Sequence, residues 1–181
     1  MKLNFKNVVA PALILFTICF VISSLLSVTN MLTKDKITES MKAKEEESRQ
    51  IVLQEAESFV PAADNSYFTG KKGEEIVGFV FITEAKGYGG TVKVMTGIGS
   101  DDQVKGVVIL NQNETPGLGA NATKASFTDQ FKQAAQPLQV GKGTSGDGQI
   151  SAMTGATITT KAVTNAVNTA IEAYSRVKGG N

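Results

Sequence analysis

Residues 76–110, IVGFVFITEAKGYGGTVKVMTGIGSDDQVKGVVIL, decide the architecture. Three segments in this run are rich in β-branched and aromatic residues: Ile76 to Thr83, Val92 to Thr96 and Val104 to Leu110. Such side chains suit a pleated, packed surface, and each segment has the length of a strand. Two turn signals separate them, Gly87-Tyr88-Gly89-Gly90 and Gly99-Ser100-Asp101-Asp102. Glycine permits sharp reversals, and Asp and Ser support them with local hydrogen bonds. Upstream, Tyr67-Phe68 reads as a further strand joined through the Gly70–Gly73 turn. Downstream, Phe127 and Phe131 at i,i+4 predict a helix over Ala125 to Ala135, which Pro137 ends. Gly141 to Gly148 reads as a polar loop. Strands grouped apart from helices indicate an α+β fold rather than a doubly wound sheet.

The C-terminal segment predicts a helix. Val163, Val167, Ala170, Ile171 and Tyr174 recur at its period, so one face is apolar. Just ahead stands Thr154-Gly155-Ala156-Thr157-Ile158-Thr159. A helix start presents free backbone N–H groups that attract phosphate, and small residues let a bulky phosphorylated group reach the Thr157 hydroxyl. Threonine is a weak nucleophile unless its partner is activated, for example as a phosphoanhydride. The competing reading is a small-residue turn with Thr159 or Thr160 as the helix cap. Lys161, one helical turn beyond Thr157, is spaced either to approach a phosphate or to be an ordinary surface lysine.

At the other end, no charged residue occurs between Lys6 and Lys34. Val8 to Val28 is rich in Leu, Ile, Val and Phe, and about 20 such residues span a bilayer core. A cleaved signal peptide is the rival reading, but the apolar core is long for one and no Ala-x-Ala site follows. Residues 1–33 are therefore expected to be a short tail and a membrane helix, and residues 34–57 a charged juxtamembrane helix closed by Pro61. The remaining chain, 58–181, forms the folded domain. Lys2 and Lys6 flank one side of the anchor, and Lys34, Lys36, Lys42 and Lys44 the other. Charge alone thus does not favour a cytoplasmic N-terminus.

Composition excludes several functions. The net charge is +1 and no basic stripe is interleaved with aromatics, so nothing points to nucleic acid. There is no histidine, hence no Ser–His triad and no histidine metal site. Cys19 is the single cysteine, which rules out an intrachain disulfide and a cysteine-ligated iron–sulfur cluster. Electron transfer through this chain would need an organic cofactor.

Between the strands and the C-terminal helix lies Asn113-Glu114-Thr115-Pro116-Gly117-Leu118-Gly119. The order GYGG, ETPGLG and TGATxT resembles the FMN-binding domain of the G subunit of the Rnf complex, a membrane ferredoxin:NAD+ oxidoreductase. That domain is similar to the one in the C subunit of the sodium-pumping NADH:quinone oxidoreductase, the alternative within this fold. The resemblance covers most of residues 58–181. It implies a domain with a mainly antiparallel sheet and flanking helices, preceded by one transmembrane helix. It also implies FMN joined through its phosphate to Thr157, placed there from FAD by a separate flavin transferase. The implied cofactor site comprises Thr157 with Thr154, Gly155, Ala156, Thr159 and Lys161, together with Glu114, Thr115, Gly117, Leu118 and Tyr88. Glu114 and Thr115 are read either as turn residues or as polar contacts to the flavin edge, and Leu118 either as core or as packing on the ring. Family members usually carry an aspartate three residues before the TGAT threonine, where this chain has Ser151. The resemblance further implies a cytoplasmic N-terminus, an FMN domain on the outer face and other membrane and peripheral subunits as partners. It implies a relay of electrons coupled to Na+ or H+ movement, with no catalytic or metal site within this chain. A membrane-anchored extracellular flavin-binding module is the reading from a different class.

Overall fold

A computed structural model describes residues 5–141 and 148–179. Most of the polar loop predicted between Gly141 and Gly148 lies outside the described residues, as does the tail through residue 4. The chain separates into two compact units, Met1–Ala43 and Lys44–Asn181.

The first unit belongs to one long helix, α1 (Phe5–Val52). It is long and apolar enough to cross a membrane. Leu13, Ile14, Leu15, Phe16, Leu25 and Leu26 are all more than half exposed, an arrangement that lipid favours and water does not. Three of its threonine hydroxyls are satisfied within the helix. Thr17 donates to the Leu13 carbonyl at 2.8 Å, Thr29 to Leu25 at 2.9 Å and Thr33 to Thr29 at 2.8 Å. This removes the cost of burying a free hydroxyl in hydrocarbon.

In the second unit a five-stranded antiparallel meander runs in sequence order. It comprises β1 (Ser58–Pro61), β2 (Tyr67–Lys72), β3 (Glu75–Lys86), β4 (Thr91–Gly99) and β5 (Val104–Asn111). The strands expected from residues 76–110 are thus present, each extended by a few residues. One face carries Phe79, Phe81, Val92, Val94, Ile98, Val107 and Ile109, and packs against the C-terminal helix α3 (Thr157–Gly179). The residues read as its apolar stripe, Val163, Val167, Ala170, Ile171 and Tyr174, are all buried there. Each fully buried valine or isoleucine among them contributes about 1.5–3 kcal/mol. The Thr83 hydroxyl of β3 donates to the Ala166 carbonyl at 2.9 Å, which fixes the helix along the strand.

The opposite face carries Val80, Met95, Ile82, Val108 and Leu110, and is covered by Val52, Leu53 and Ala56. Here the structure departs from the sequence expectation. The helix predicted over 34–57 is continuous with the apolar N-terminal helix and stops at Val52, and Pro61 ends β1 instead of a helix. The cause is tertiary. The end of α1 is seated on the sheet, with the Val52 backbone against Gly97 and Gly106 and the Leu53 side chain against Gly70 and Gly78.

The helix predicted over Ala125–Ala135 is likewise shorter. It consists of α2 (Ala125–Thr128) and a 3-10 turn over Asp129–Phe131. The chain then turns at Gln133, φ 65°, and pairs with the β5 edge: Gln133 N donates to Val104 O at 2.8 Å, and Val104 N to Ala134 O at 2.9 Å. Edge pairing replaces continued helix and covers an otherwise open strand. Phe127 and Phe131 still meet edge-to-face, with ring centroids 5.4 Å apart. A short parallel pair, β6 (Gln139–Gly141) with β7 (Gln149–Ser151), completes the unit.

The β4–β5 turn is tied to the end of α3. Asp102, at φ 67°, accepts from the Tyr174 hydroxyl at 2.5 Å and from the Lys178 ammonium. The Lys178 bond, followed by the Tyr174 bond, holds the Asp102 carboxyl below its ordinary range. Burial, followed by the Asp102 bond, pushes the Tyr174 phenol up to about 12. A lowered folded-state carboxyl stabilises the fold above its unfolded pKa of about 3.9, and that contribution disappears as the pH falls through the folded value. A raised phenol stabilises it below about pH 10, and that contribution disappears as the pH climbs to about 12. Thermal unfolding followed across pH is therefore expected to show an acid limb below about pH 4 that flattens in Asp102→Asn. An unchanged acid limb in that variant would contradict the tie.

Candidate functional site

Three loops converge at the start of α3. The β3–β4 turn brings Gly87 to Gly90, the chain leaving β5 brings Asn113 to Gly119, and the turn before α3 brings Thr154 to Ala156. Their contacts are close. A Cβ at Gly89 would lie 1.9 Å from the Asn113 carbonyl oxygen, so only glycine lets these two loops touch. Leu118 leans over Gly155, its Cδ2 atom 3.1 Å from where a Cβ would stand.

Glu114 is the knot. It is only 5% exposed. Its Oε1 accepts from the Gly89 N–H at 2.9 Å, and its Oε2 accepts from the Thr159 hydroxyl. The Glu114 N–H donates to the Gln112 side-chain oxygen at 2.6 Å. Both carboxylate oxygens are thus engaged inside the protein, one with the β3–β4 turn and one with the first turn of α3.

The four threonines around the TGAT element have different environments. Thr159 is buried and donates to Glu114. Thr160 is buried, donates to the Ala156 carbonyl at 3.0 Å and accepts from the Met153 N–H at 3.1 Å. Neither is the helix cap, because α3 already begins at Thr157. Thr154 is exposed in the preceding turn, beside Gly155 at φ 73°. Thr157 is exposed and is the first residue of a 23-residue helix. The first N–H groups of such a helix have no intrahelical acceptor, and its dipole favours a nearby anion by about 0.3–1 kcal/mol.

The remaining sequence-predicted residues fall around this point. Ala156 is buried beneath the turn, its N–H bonded to the Met153 carbonyl at 3.0 Å. Lys161 is exposed one turn along α3. Thr115 is exposed, and its carbonyl accepts from the N–H groups of Leu118 and Ala120 at 3.1 and 3.2 Å, closing the loop. Gly117 adopts φ 78°, and its carbonyl accepts from the Asn121 amide at 2.8 Å. Leu118 is 44% exposed and Tyr88 73% exposed, so neither has its place in the core. Ile158, beside Thr157, is also exposed and was not singled out from the sequence. Its outward apolar side chain interrupts the helical stripe, which was the available signal. Gln112 and the Thr159–Glu114 pair were missed as well, and for the pair no local signal exists because 45 residues separate the partners.

An exposed hydroxyl at a helix start, with exposed Ile158 beside it and exposed Leu118 against Gly155 of the preceding turn, suits a ligand that combines an anionic phosphate with a flat apolar ring. FMN has both parts, so the residues present fit it. A concavity of about 830 Å³ is lined by Gln130, Ala134, Pro137 and Gln149 and takes in no residue of the three loops.

Comparison with known proteins gives the family. Residues 87–172 match the FMN-binding domain family, and residues 1–50 match the RnfG N-terminal region. The chain is 38% identical to the G subunit of the Na(+)-translocating ferredoxin:NAD(+) oxidoreductase complex of Acetobacterium woodii, over 97% of this chain and 96% of that relative. It is 34% identical to the G subunit of the proton-translocating complex of Clostridium ljungdahlii, over 90% and 89% respectively. In fold it is similar to the C subunit of the Na(+)-translocating NADH-quinone reductase of Parabacteroides distasonis. That likeness has a TM-score of 0.52 at 23% identity and covers 61% of this chain and 60% of that one.

Proposed function

The chain belongs to the family of G subunits of ion-translocating ferredoxin:NAD+ oxidoreductase complexes, and from that premise we propose that it carries FMN as a phosphoester on Thr157. It is an electron-transfer subunit with an FMN-binding domain and an apolar N-terminal helix that fits a single-pass membrane anchor. One relative translocates Na+ and another protons, so family membership alone does not select the ion.

One observation carries the choice of attachment residue. Of the threonines from 154 to 160, Thr159 and Thr160 are buried with engaged hydroxyls, and Thr157 alone is both exposed and on the first turn of α3. The attachment chemistry balances without an oxidant. The Thr157 Oγ attacks the flavin-side phosphorus of FAD and the Oγ–P bond forms. The pyrophosphate P–O bond breaks and AMP leaves with the electron pair. The hydroxyl proton passes to a base on the flavin transferase. The resulting phosphodiester would remain anionic, and the free N–H groups at the start of α3 would favour that charge.

Bound FMN supplies one- and two-electron transfer. The residues of this chain tether and orient it. Thr157 holds the phosphate, the exposed Tyr88, Leu118 and Ile158 offer apolar surface to the ring, and Lys161 adds positive charge one turn along. A tether also retains the cofactor where no flavin pool can replace it. That fits a short cytoplasmic N-terminus, an FMN domain on the outer face and partner subunits that hold the adjacent redox centres. Peptide mapping of the native complex tests the reading. The tryptic fragment spanning residues 143–161 is expected to carry one phosphoester-linked FMN on Thr157. An unmodified fragment from fully assembled, natively produced protein would overturn it.

A further inference from the structure

We infer that Glu114 positions the attachment threonine, acting through Thr159 and Gly89 rather than on the flavin. The inference rests on the reading of Thr157 as the attachment residue. The Glu114 carboxylate joins two segments that nothing in the local sequence holds together. One oxygen takes the Gly89 N–H of the β3–β4 turn, and the other takes the hydroxyl of Thr159. Thr159 stands two residues after Thr157 in the same helical turn, so fixing one sets the rotation at which the other is presented.

The surrounding glycines make the clamp tight. A Cβ at Gly87 would lie 2.4 Å from Glu114 Oε1, and one at Gly119 would lie 2.5 Å from Thr159 Oγ1 and 2.7 Å from Glu114 Oε2. A side chain at either position would strike the clamp itself. Among the described residues Glu114 has no ion-pair partner. A buried carboxylate held only by an amide and a hydroxyl is an expensive way to stabilise a loop, because an apolar residue of similar volume would avoid the desolvation cost. Its value lies in geometry: two directed bonds specify one register of the loops against α3, which apolar packing does not.

The test uses the full-length chain produced together with its flavin transferase. Glu114→Ala, Glu114→Gln, Thr159→Val and Thr159→Ser are compared by the initial rate of FMN attachment, by the visible circular dichroism of the bound flavin and by its midpoint potential. Thermal unfolding is recorded for each. Thr159→Val and Glu114→Ala are expected to slow attachment at least about tenfold, since small misplacement of a reacting group costs large factors in rate. Both are also expected to change the dichroic band and the potential, and Thr159→Ser is expected to restore all three. If Glu114→Ala fails to fold, the Thr159→Val and Thr159→Ser pair decides alone. Variants that attach flavin at the parental rate, with unchanged dichroism and potential, overturn the inference even if they melt at lower temperature, because a merely structural carboxylate predicts that pattern. A parental chain that holds FMN without a bond to Thr157 overturns the attachment reading alone. The dichroic band and potential then still decide the role of Glu114.

Discussion

Thr157→Ala is expected to leave the purified chain with no covalent flavin, and Thr157→Ser to keep it. Only the oxygen matters for the ester, and serine supplies it in the same place at the head of α3. The residue is exposed at a helix start, where substitutions usually change stability by less than about 0.5 kcal/mol, so the alanine chain should fold and melt normally. That separates lost chemistry from lost structure. Thr154→Ala is the matched control, because Thr154 is equally exposed but lies in the preceding turn. It is expected to be modified like the parent. Intact-protein mass spectrometry reads all three variants, and in-gel fluorescence under denaturing conditions gives the same answer. An FMN-sized increment that survives Thr157→Ala, or one that vanishes only in Thr154→Ala, would transfer the bond to another residue. Slow loading of Thr157→Ser would mean that the threonine methyl group also helps to orient the hydroxyl, which is compatible with the assignment because the product is the same.

Legibility differed sharply along the chain. The strands within 76–110 could be read because β-branched runs were punctuated by Gly and Asp, and α3 because Val163, Val167, Ala170, Ile171 and Tyr174 keep helical phase. Those signals are local, and local packing agrees with them. β1 was not legible: it is four residues, Ser58–Pro61, at a sheet edge with little alternation. β6 and β7 are three residues each and exist because they pair with each other. The end of α1 could not be read from propensity, since helix formers continue past Val52 and it is the sheet that stops the helix. At the site, Thr157 was a candidate from its motif, and the burial that sets Thr159 and Thr160 apart from it was not legible. Glu114 was visible as a candidate, but its partners were not. Its bonds to Gly89 and Thr159 span 25 and 45 residues, and only the folded sheet brings those ends together.

Gly97→Ala is expected to lower the stability of the folded unit by about 3 kcal/mol or more, near or above the upper end of ordinary overpacking. The geometry leaves no escape. A Cβ there would lie 2.2 Å from the Val52 carbonyl oxygen and 2.7 Å from its carbonyl carbon, and both are backbone, so no side-chain rotation relieves the clash. Gly106, cross-strand partner of Gly97, has the Val52 Cα 2.9 Å from its own missing Cβ. The two glycines make a flat seat on which the last turn of α1 rests, and glycine inside a strand commonly marks such an approach of another backbone. Lifting that turn would draw Val52 and Leu53, both almost fully buried, off Val80 and Met95. A loss of this size in a unit of this length lowers the unfolding temperature by roughly 10 °C. Gly179→Ala supplies the reference, because nothing lies within 4 Å of a Cβ at that position. It is expected to change the midpoint by no more than surface substitutions do. Calorimetry or circular dichroism on the full chain in detergent reads both variants. Equal midpoints for Gly97→Ala and Gly179→Ala would mean that the end of α1 does not rest on the sheet. A large drop confined to Gly97→Ala would show that the last turn of α1 is built into the core of the folded unit.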